Sequence, residues 1–177
     1  MEFFTGVLFS LSFYVFGFSY ELLIALGIVS LLIIVSVSDI SYYIIPDEIL
    51  IFFIGFFTII ITLNSSVLNA LISLLSGFTL FIIMYTIMIF GNFLFKKESL
   101  GGGDVKMMFV FGLILNPFLG LISIFLASFL ALPVSIFILL KKHQNLVPFG
   151  PFLLISFAFI YFTKIDMTTI INFIKQI

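Results

Sequence analysis

The sequence predicts an all-α fold, a polytopic bundle of transmembrane helices with six core spans plus an additional N-terminal helix. Of its 177 residues, 63% are hydrophobic and only 8% are charged, whereas about a quarter of the residues in a soluble domain are charged. The mean hydropathy of the chain is +1.43. The apolar residues also lie in long runs that short polar segments separate, as expected for successive membrane spans.

The residue types that are missing exclude several classes of site. The chain has no cysteine, which excludes disulfides, thiolate zinc sites and cysteine nucleophiles. It has no arginine and a formal net charge of −1, so it lacks the basic surface that nucleic-acid binding requires. The single histidine, His143, follows two lysines and is typical of a solvated helix end rather than of a metal ligand. We therefore expect no metal, no cofactor and no nucleic-acid partner.

Two apolar runs, residues 3–18 and 22–37, begin the chain. We expect both to be helical and joined by a tight turn at residues 20 and 21, although the first is short for a span and can instead lie at the membrane interface. The polar segment that follows contains Asp39 and Pro46. Because proline disfavours helix at the residue before it and suits the first turn of a new helix, the Asp39 helix is predicted to end near Ile45 and the next to begin near Pro46.

The middle and the end of the chain contain further predicted spans. Residues 49–63 form one, residues 64–66 are the polar turn after it, and residues 67–95 form another that is long enough to cross with a tilt. We expect residues 118–140 to form a full span, and a last span to end near Phe162.

One apolar segment is too short to cross a membrane. Residues 105–115 would form a helix only about 16 Å long at about 1.5 Å per residue, whereas a crossing needs about 30 Å. If this helix reaches the far side of the membrane, its start at Asp104 must lie below the near surface.

Three consecutive glycines, Gly101, Gly102 and Gly103, precede Asp104. Glycine has no side chain to bury and loses the most backbone freedom, so we expect these residues in a tight turn or where another backbone comes close. The Asp104 carboxylate would then face the partial positive charge of a helix N-terminus. A glycine loop with an aspartate N-cap explains the same residues without any function.

The lysines orient the chain. If the spans alternate in direction, five lysines fall on one side of the membrane and two on the other. Under the positive-inside rule the five mark the cytoplasm, so Asp39, Asp104 and the loop at Pro148 are expected at the cytoplasmic face of the plasma membrane. The five are Lys96, Lys97, Lys106, Lys141 and Lys142, and the two are Lys164 and Lys175.

Asp39 and Asp104 are the carboxylates that we expect to do chemistry. Each adjoins an apolar helix end, and a charged side chain at bilayer depth costs about 2.5–3.5 kcal/mol on insertion scales, so such residues are usually functional or paired. Two facing carboxylates can share one proton, which suits one of them to activate water and the other to protonate a leaving amide. The alternative is two unrelated helix caps.

Three segments together carry a resemblance to a known family. Asp39 with Ile45-Pro46, then Glu98-x-x-Gly101-Gly102-Gly103-Asp104-x-Lys106, then Pro148-Phe149-Gly150-Pro151, resemble the three signatures of the type IV prepilin peptidases. These are intramembrane aspartic proteases of the GxGD type. The resemblance covers residues 22–163 in order and with similar spacing.

The resemblance implies a function and a set of site residues. The chain would be a membrane aspartic endopeptidase that removes the short basic leader from prepilin-like precursors at the cytoplasmic face, cutting after a glycine and before an apolar helix. Asp39 and Asp104 would be catalytic. The residues expected to contact substrate are Gly101, Gly102, Gly103, Pro148, Gly150 and Pro151. The implied organisation is an N-terminal membrane helix (1–21), a peptidase domain (22–163) and a short tail (164–177).

The chain departs from the family pattern in ways that bear on the leader and on methylation. Asp47 stands where the family usually has asparagine, and Ser41, Tyr42 and Tyr43 replace basic residues, changes expected to alter leader recognition rather than catalysis. Larger members carry a domain with paired cysteines that is associated with N-methylation of the new terminus. The absence of cysteine predicts a peptidase-only form.

Two other classes of function stay open, together with the oligomeric state. A small transporter would also place acids in membrane helices, but it should show repeated halves, and no internal repeat is visible. A non-catalytic scaffold of pilus assembly would tolerate the loss of either aspartate.

Overall fold

The fold is helical throughout the part of the chain that the computed structural model describes, residues 2–96, 100–142 and 148–164. No strand occurs in these residues, which confirms the all-α prediction. Their helices are α1 (Glu2–Phe16), α2 (Tyr20–Tyr42), α3 (Asp47–Asn64), α4 (Val67–Phe95), α5 (Gly102–Ile114), α6 (Pro117–Lys142) and α7 (Gly150–Phe162).

Four of these helices are long and apolar enough to cross a membrane, namely α2, α3, α4 and residues 117–138 of α6. By length and composition the chain is therefore a multi-pass membrane protein. Helices α1 and α7 are apolar but shorter. Helix α5 has 13 residues, or about 20 Å at about 1.5 Å per residue. The predicted number of six core spans stays a prediction.

Serine side chains at the polar breaks cap two of the helices, α2 and α4. The Ser19 hydroxyl accepts a hydrogen bond from the Leu22 amide, and the Ser66 hydroxyl accepts one from the Asn69 amide. The break after α1 is Gly17, whose φ of 56° ends the helix. Tyr20 and Glu21, expected in the turn, form the first turn of α2 instead, because the Ser19 cap lies before them.

Helix α2 ends three residues before the predicted end near Ile45. Tyr43 adopts a left-handed conformation with φ 55°, and its amide donates to the Asp39 carbonyl oxygen at 2.9 Å. The Ser38 hydroxyl closes the turn by donating to the Ile44 carbonyl oxygen at 2.7 Å. Pro46 is the N-cap residue of α3, which begins at Asp47, within one residue of the predicted start.

Helix α5 begins earlier than predicted, and the glycines belong to it. Gly101 is the N-cap residue, Gly102 and Gly103 begin the helix, and Asp104 is its third residue. None of the three glycines has a positive φ. Of the alternatives open for these residues, the tight glycine turn and the Asp104 N-cap are therefore excluded, because the Val105 amide already bonds to the Gly101 carbonyl oxygen at 3.3 Å.

The short helix α5 lies at the centre of the bundle, in contact with α3, α4, α6 and α7. Its closest neighbour is α4. A Cβ atom at Gly112 would lie 2.7 Å from the Ser76 carbonyl oxygen and 2.8 Å from the Gly77 Cα, so the two backbones touch there. On the other side, the Phe111 ring stacks on the Phe157 ring of α7 with centroids 4.1 Å apart. These contacts hold α5 against α4 on one side and against α7 on the other.

Candidate active site

Asp39 lies in the last turn of α2 and is only 7% exposed. One of its carboxylate oxygens, Oδ2, accepts a hydrogen bond of 2.9 Å from the backbone N–H of Gly150. Gly150 is the first residue of α7, where backbone amides have no partner within the helix. The start of α7 therefore holds the Asp39 carboxylate in place.

Asp104 lies in the first turn of α5 and is 8% exposed. It is close enough to Asp39 for the charge of one carboxylate to act on the other. Its Oδ1 atom is buried and has no hydrogen-bond partner among the described residues. The structure thus brings together the two carboxylates that the sequence singled out, and it leaves a buried oxygen of Asp104 able to accept or donate a hydrogen bond.

The Ile45 side chain lies between the two helix starts that border these carboxylates. A Cβ atom at Gly103 would be 2.8 Å from the Ile45 Cβ, and one at Gly150 would be 3.4 Å from the Ile45 Cδ1. Glycine at position 103 therefore leaves room for this buried side chain, whereas a Cβ atom at position 150 would only be in van der Waals contact with it. Ile45 belongs to the first of the three motifs, but the sequence predicts no role for its side chain. The visible signal was an isoleucine directly before a proline at a polar break.

The glycines around the site differ in what surrounds them. A Cβ atom at Gly150 would lie 2.8 Å from the Asp39 Oδ2, and one at Gly101 would lie 3.0 Å from the Asp104 Oδ2. Nothing lies within 4 Å of a Cβ atom at Gly102, which is exposed. Two glycines therefore make room for the carboxylates, Gly103 makes room for Ile45, and Gly102 alone faces open space.

The two prolines predicted for the site flank Gly150. Pro148 is partly exposed just before α7, and Pro151 is buried as its second residue. Proline is favoured at the start of a helix because its fixed φ is helical and it has no N–H to satisfy there. These prolines restrict the backbone on both sides of Gly150, whose N–H donates the hydrogen bond to Asp39.

An ion pair lies beside the site and was not predicted. The Lys106 Nζ is 2.6 Å from the Asp47 Oδ2 and 2.8 Å from its Oδ1, so the lysine bridges the first turn of α3 to α5. Both side chains are about half exposed. The visible signal was the departure at Asp47, which sequence reasoning had linked only to leader recognition.

The described residues hold no group of three or more histidine, cysteine, aspartate or glutamate side chains that could bind a metal ion. Glu98 and His143, both named in the sequence analysis, lie outside those residues. Where the structure describes the chain, the site is thus a pair of carboxylates bordered by backbone amides, glycines and one isoleucine.

Comparison with known proteins identifies the family of the chain. A family model described as the type IV leader peptidase family matches residues 26–136, which include both aspartates. The chain is similar to a prepilin leader peptidase/N-methyltransferase of Bacillus subtilis (strain 168), with 35% identity over 117 residues. This alignment covers 65% of the chain and 44% of the relative, so the chain spans less than half the length of the relative. No solved structure matches the chain significantly. The family model covers more than half of the chain, which therefore belongs to the type IV leader peptidase family.

Proposed function

We propose that the protein is a membrane-embedded aspartic endopeptidase that removes the leader from type IV prepilin-like precursors. The cut would fall after a glycine and before the apolar helix of the precursor, at the cytoplasmic face. The observation that carries this proposal is that Asp39 and Asp104, two buried carboxylates 65 positions apart in the chain, lie close enough for their charges to interact. Such a pair can supply the base and the acid that hydrolysis of an amide uses.

The surroundings of the two carboxylates suggest how they divide the work. Asp39 accepts a hydrogen bond from the Gly150 N–H, which orients its carboxylate, and would take a proton from water as the water attacks the scissile carbonyl. Asp104 has a buried oxygen without a described partner and would carry the shared proton, donating a hydrogen bond to the carbonyl oxygen. When the amide bond breaks, that proton passes to the leaving nitrogen.

Access to the pair supports a role for the glycine segment and the α7 start in substrate binding. A peptide in a helix resists proteolysis because its amides are engaged, so the substrate must be extended where it is cut. Gly101 and Gly102 are exposed and without side chains, and an extended peptide could pair with backbone there. Pro148, Gly150 and Pro151 would border the same peptide on the Asp39 side.

The deciding experiment removes each carboxylate without changing its shape. Asp39→Asn and Asp104→Asn should each lower cleavage of a co-expressed prepilin by about 10²–10⁴-fold, because asparagine cannot exchange a proton. The double variant should be no worse than either single variant, as expected for groups that act as one unit. Cleavage is measured as the gel shift that accompanies loss of the leader.

Glu21→Gln is the matched control. Glu21 lies in the first turn of α2, at the opposite end of that helix from Asp39, and its carboxylate pairs with Lys164. It should cleave at the normal rate. Appreciable cleavage by either single aspartate variant at normal membrane levels would refute the dyad. Cleavage that continues in cells without this protein would instead favour the scaffold function, which tolerates the loss of either carboxylate.

Whether the chain also methylates its product is a separate matter. The similar relative is named as both a peptidase and an N-methyltransferase. Methylation in larger members is associated with paired cysteines, and this chain has no cysteine. We predict a product with an unmodified amino terminus. Mass spectrometry of the cleaved pilin from cells that express only this protein tests the prediction, and a mass increase of one methyl group would contradict it.

A further inference from the structure

A groove of about 340 Å³ lies between α3, α4 and α5, and neither Asp39 nor Asp104 lines it. Its walls are apolar except at one end, where the Asp47–Lys106 ion pair stands. The apolar lining residues are Leu50, Ile51, Ile54, Phe78, Phe81 and Phe109.

The polar end of the groove lies within one helical turn of the proposed active site along α5. Lys106 follows Asp104 by two residues on α5, and Asp47 follows Ile45 by two residues at the start of α3. Since Ile45 packs against Gly103 of the glycine segment, the charged end of the groove adjoins the place where the peptide would be cut. The apolar walls extend from there along α3 towards Ile54.

We infer that this groove seats the first turns of the apolar helix of the substrate, immediately after the cut. The inference rests on the proposed function and names the surface that holds the part of the substrate outside the catalytic pair. The match is one of polarity. A prepilin-like precursor has a basic leader, a cut site and then an apolar helix. The groove is polar at the start of α3, where Asp47 pairs with Lys106 and Glu48 is exposed, and apolar beyond that end.

The size of the groove agrees with this occupant. A helix packs on its neighbours by inserting rows of side chains between theirs, so a shallow groove takes the side chains of one helical face rather than a whole helix. Ile51 is 68% exposed on the rim of the groove, which leaves a wide surface open to such a partner.

Cysteine cross-linking tests the inference directly, because the native chain has no cysteine. Ile51→Cys and Phe52→Cys are a matched pair. The two residues are adjacent and almost equally exposed, at 68% and 65%, but only Ile51 lines the groove. A single cysteine is placed at successive positions in the first two turns of the prepilin helix, and disulfides with each enzyme variant are measured in membranes after mild oxidation.

The expected result is a disulfide from Ile51→Cys to one face of the substrate helix, at least about tenfold more than from Phe52→Cys. If the unaltered protein cleaves the prepilin, three outcomes would overturn the inference: equal yields, a preference for Phe52→Cys, or no disulfide from Ile51→Cys. Failure of the unaltered protein to cleave it would overturn the proposed function and the inference together.

A kinetic readout separates seating of the helix from chemistry. Ile51→Trp narrows the groove and should raise KM for the prepilin at least about fivefold with kcat within about twofold, because it removes binding shared by ground state and transition state. Phe52→Trp should change neither constant. An unchanged KM for Ile51→Trp at normal membrane levels contradicts the inference.

Discussion

Gly102 is the residue at which the structure gives the sharpest test of substrate contact. A Cβ atom there would meet nothing within 4 Å, so Gly102→Val should fold as the native protein does. If an extended peptide lies against this backbone, the valine side chain occupies its place, and we expect cleavage to fall at least about tenfold. The measurement is the initial rate of prepilin cleavage at equal membrane levels of enzyme.

Gly6→Val is the control, since Gly6 also has open space around it but lies in α1. Normal cleavage by the Gly102 variant would show that the exposed glycine does not face the substrate. Gly103→Val would be a poorer test, because the new side chain would clash with Ile45 whether or not substrate binds there.

The single residues of the site were predictable to different degrees. Asp39 and Asp104 could be found from the sequence because a carboxylate at the end of an apolar run is costly and therefore conspicuous. The role of Ile45 could not, because its contacts with Gly103 and Gly150 exist only where the starts of α5 and α7 meet the end of α2. The Asp47–Lys106 pair joins positions 59 residues apart and was equally hidden.

At the scale of the helices, the polar breaks gave most boundaries. Residues 67–95 were predicted as a helix and are one, and Ser66 caps it. The sequence predicts a start of α5 at residue 105, three residues too late, because glycine has a low helix propensity. Propensity is a weak guide where tertiary packing decides, and here the approach of Ile45 makes glycine necessary within the first turn.

The crossing of α4 and α5 should be the most demanding contact between helices. A Cβ atom at Gly112 would lie 2.7 Å from the Ser76 carbonyl oxygen, and neither backbone can yield without moving its helix. Gly112→Val should therefore lower the free energy of unfolding by about 1–3 kcal/mol. Thermal denaturation in detergent measures this as a fall in Tm of about 2–4 °C per kcal/mol.

Gly55→Val provides the comparison, because Gly55 lies inside α3 with nothing within 4 Å of its Cβ position. It should leave Tm within about 1–2 °C of the native value, since substitutions away from packed contacts rarely cost more than about 0.5 kcal/mol. An equal fall for both variants would mean that valine itself, rather than the crossing, is responsible.

Over the whole molecule, the shortest helices are the most enclosed. Eight of the 13 residues of α5 are buried, as are seven of the 13 residues of α7, whereas at most 22% of the membrane-crossing stretches of α3, α4 and α6 is buried. Composition could not predict which helices lie inside, because every segment is apolar and hydrophobicity does not distinguish a protein contact from a lipid contact. The short length of residues 105–115 was the one visible indication.

Orientation in the membrane is a prediction for the molecule as a whole. We expect the ends that carry Asp39 and Asp104 at the cytoplasmic face and the turn at Ser65 outside, from the distribution of the lysines. Single cysteines at Ser65 and at Lys142 test this with a membrane-impermeant maleimide on intact cells. Ser65→Cys should be labelled and Lys142→Cys should not, and the reverse pattern would invert the proposed topology.

The hydrogen bond between Gly150 and Asp39 joins residues 111 positions apart, and it has a consequence for biogenesis. Translation delivers α2 to the membrane long before α7 exists. Until α7 is made, the Asp39 carboxylate lacks the amide that holds it, and one border of the proposed cleft is missing. Under the proposed mechanism a nascent chain is therefore proteolytically silent, and the enzyme switches on only when its last described helix has entered the bundle.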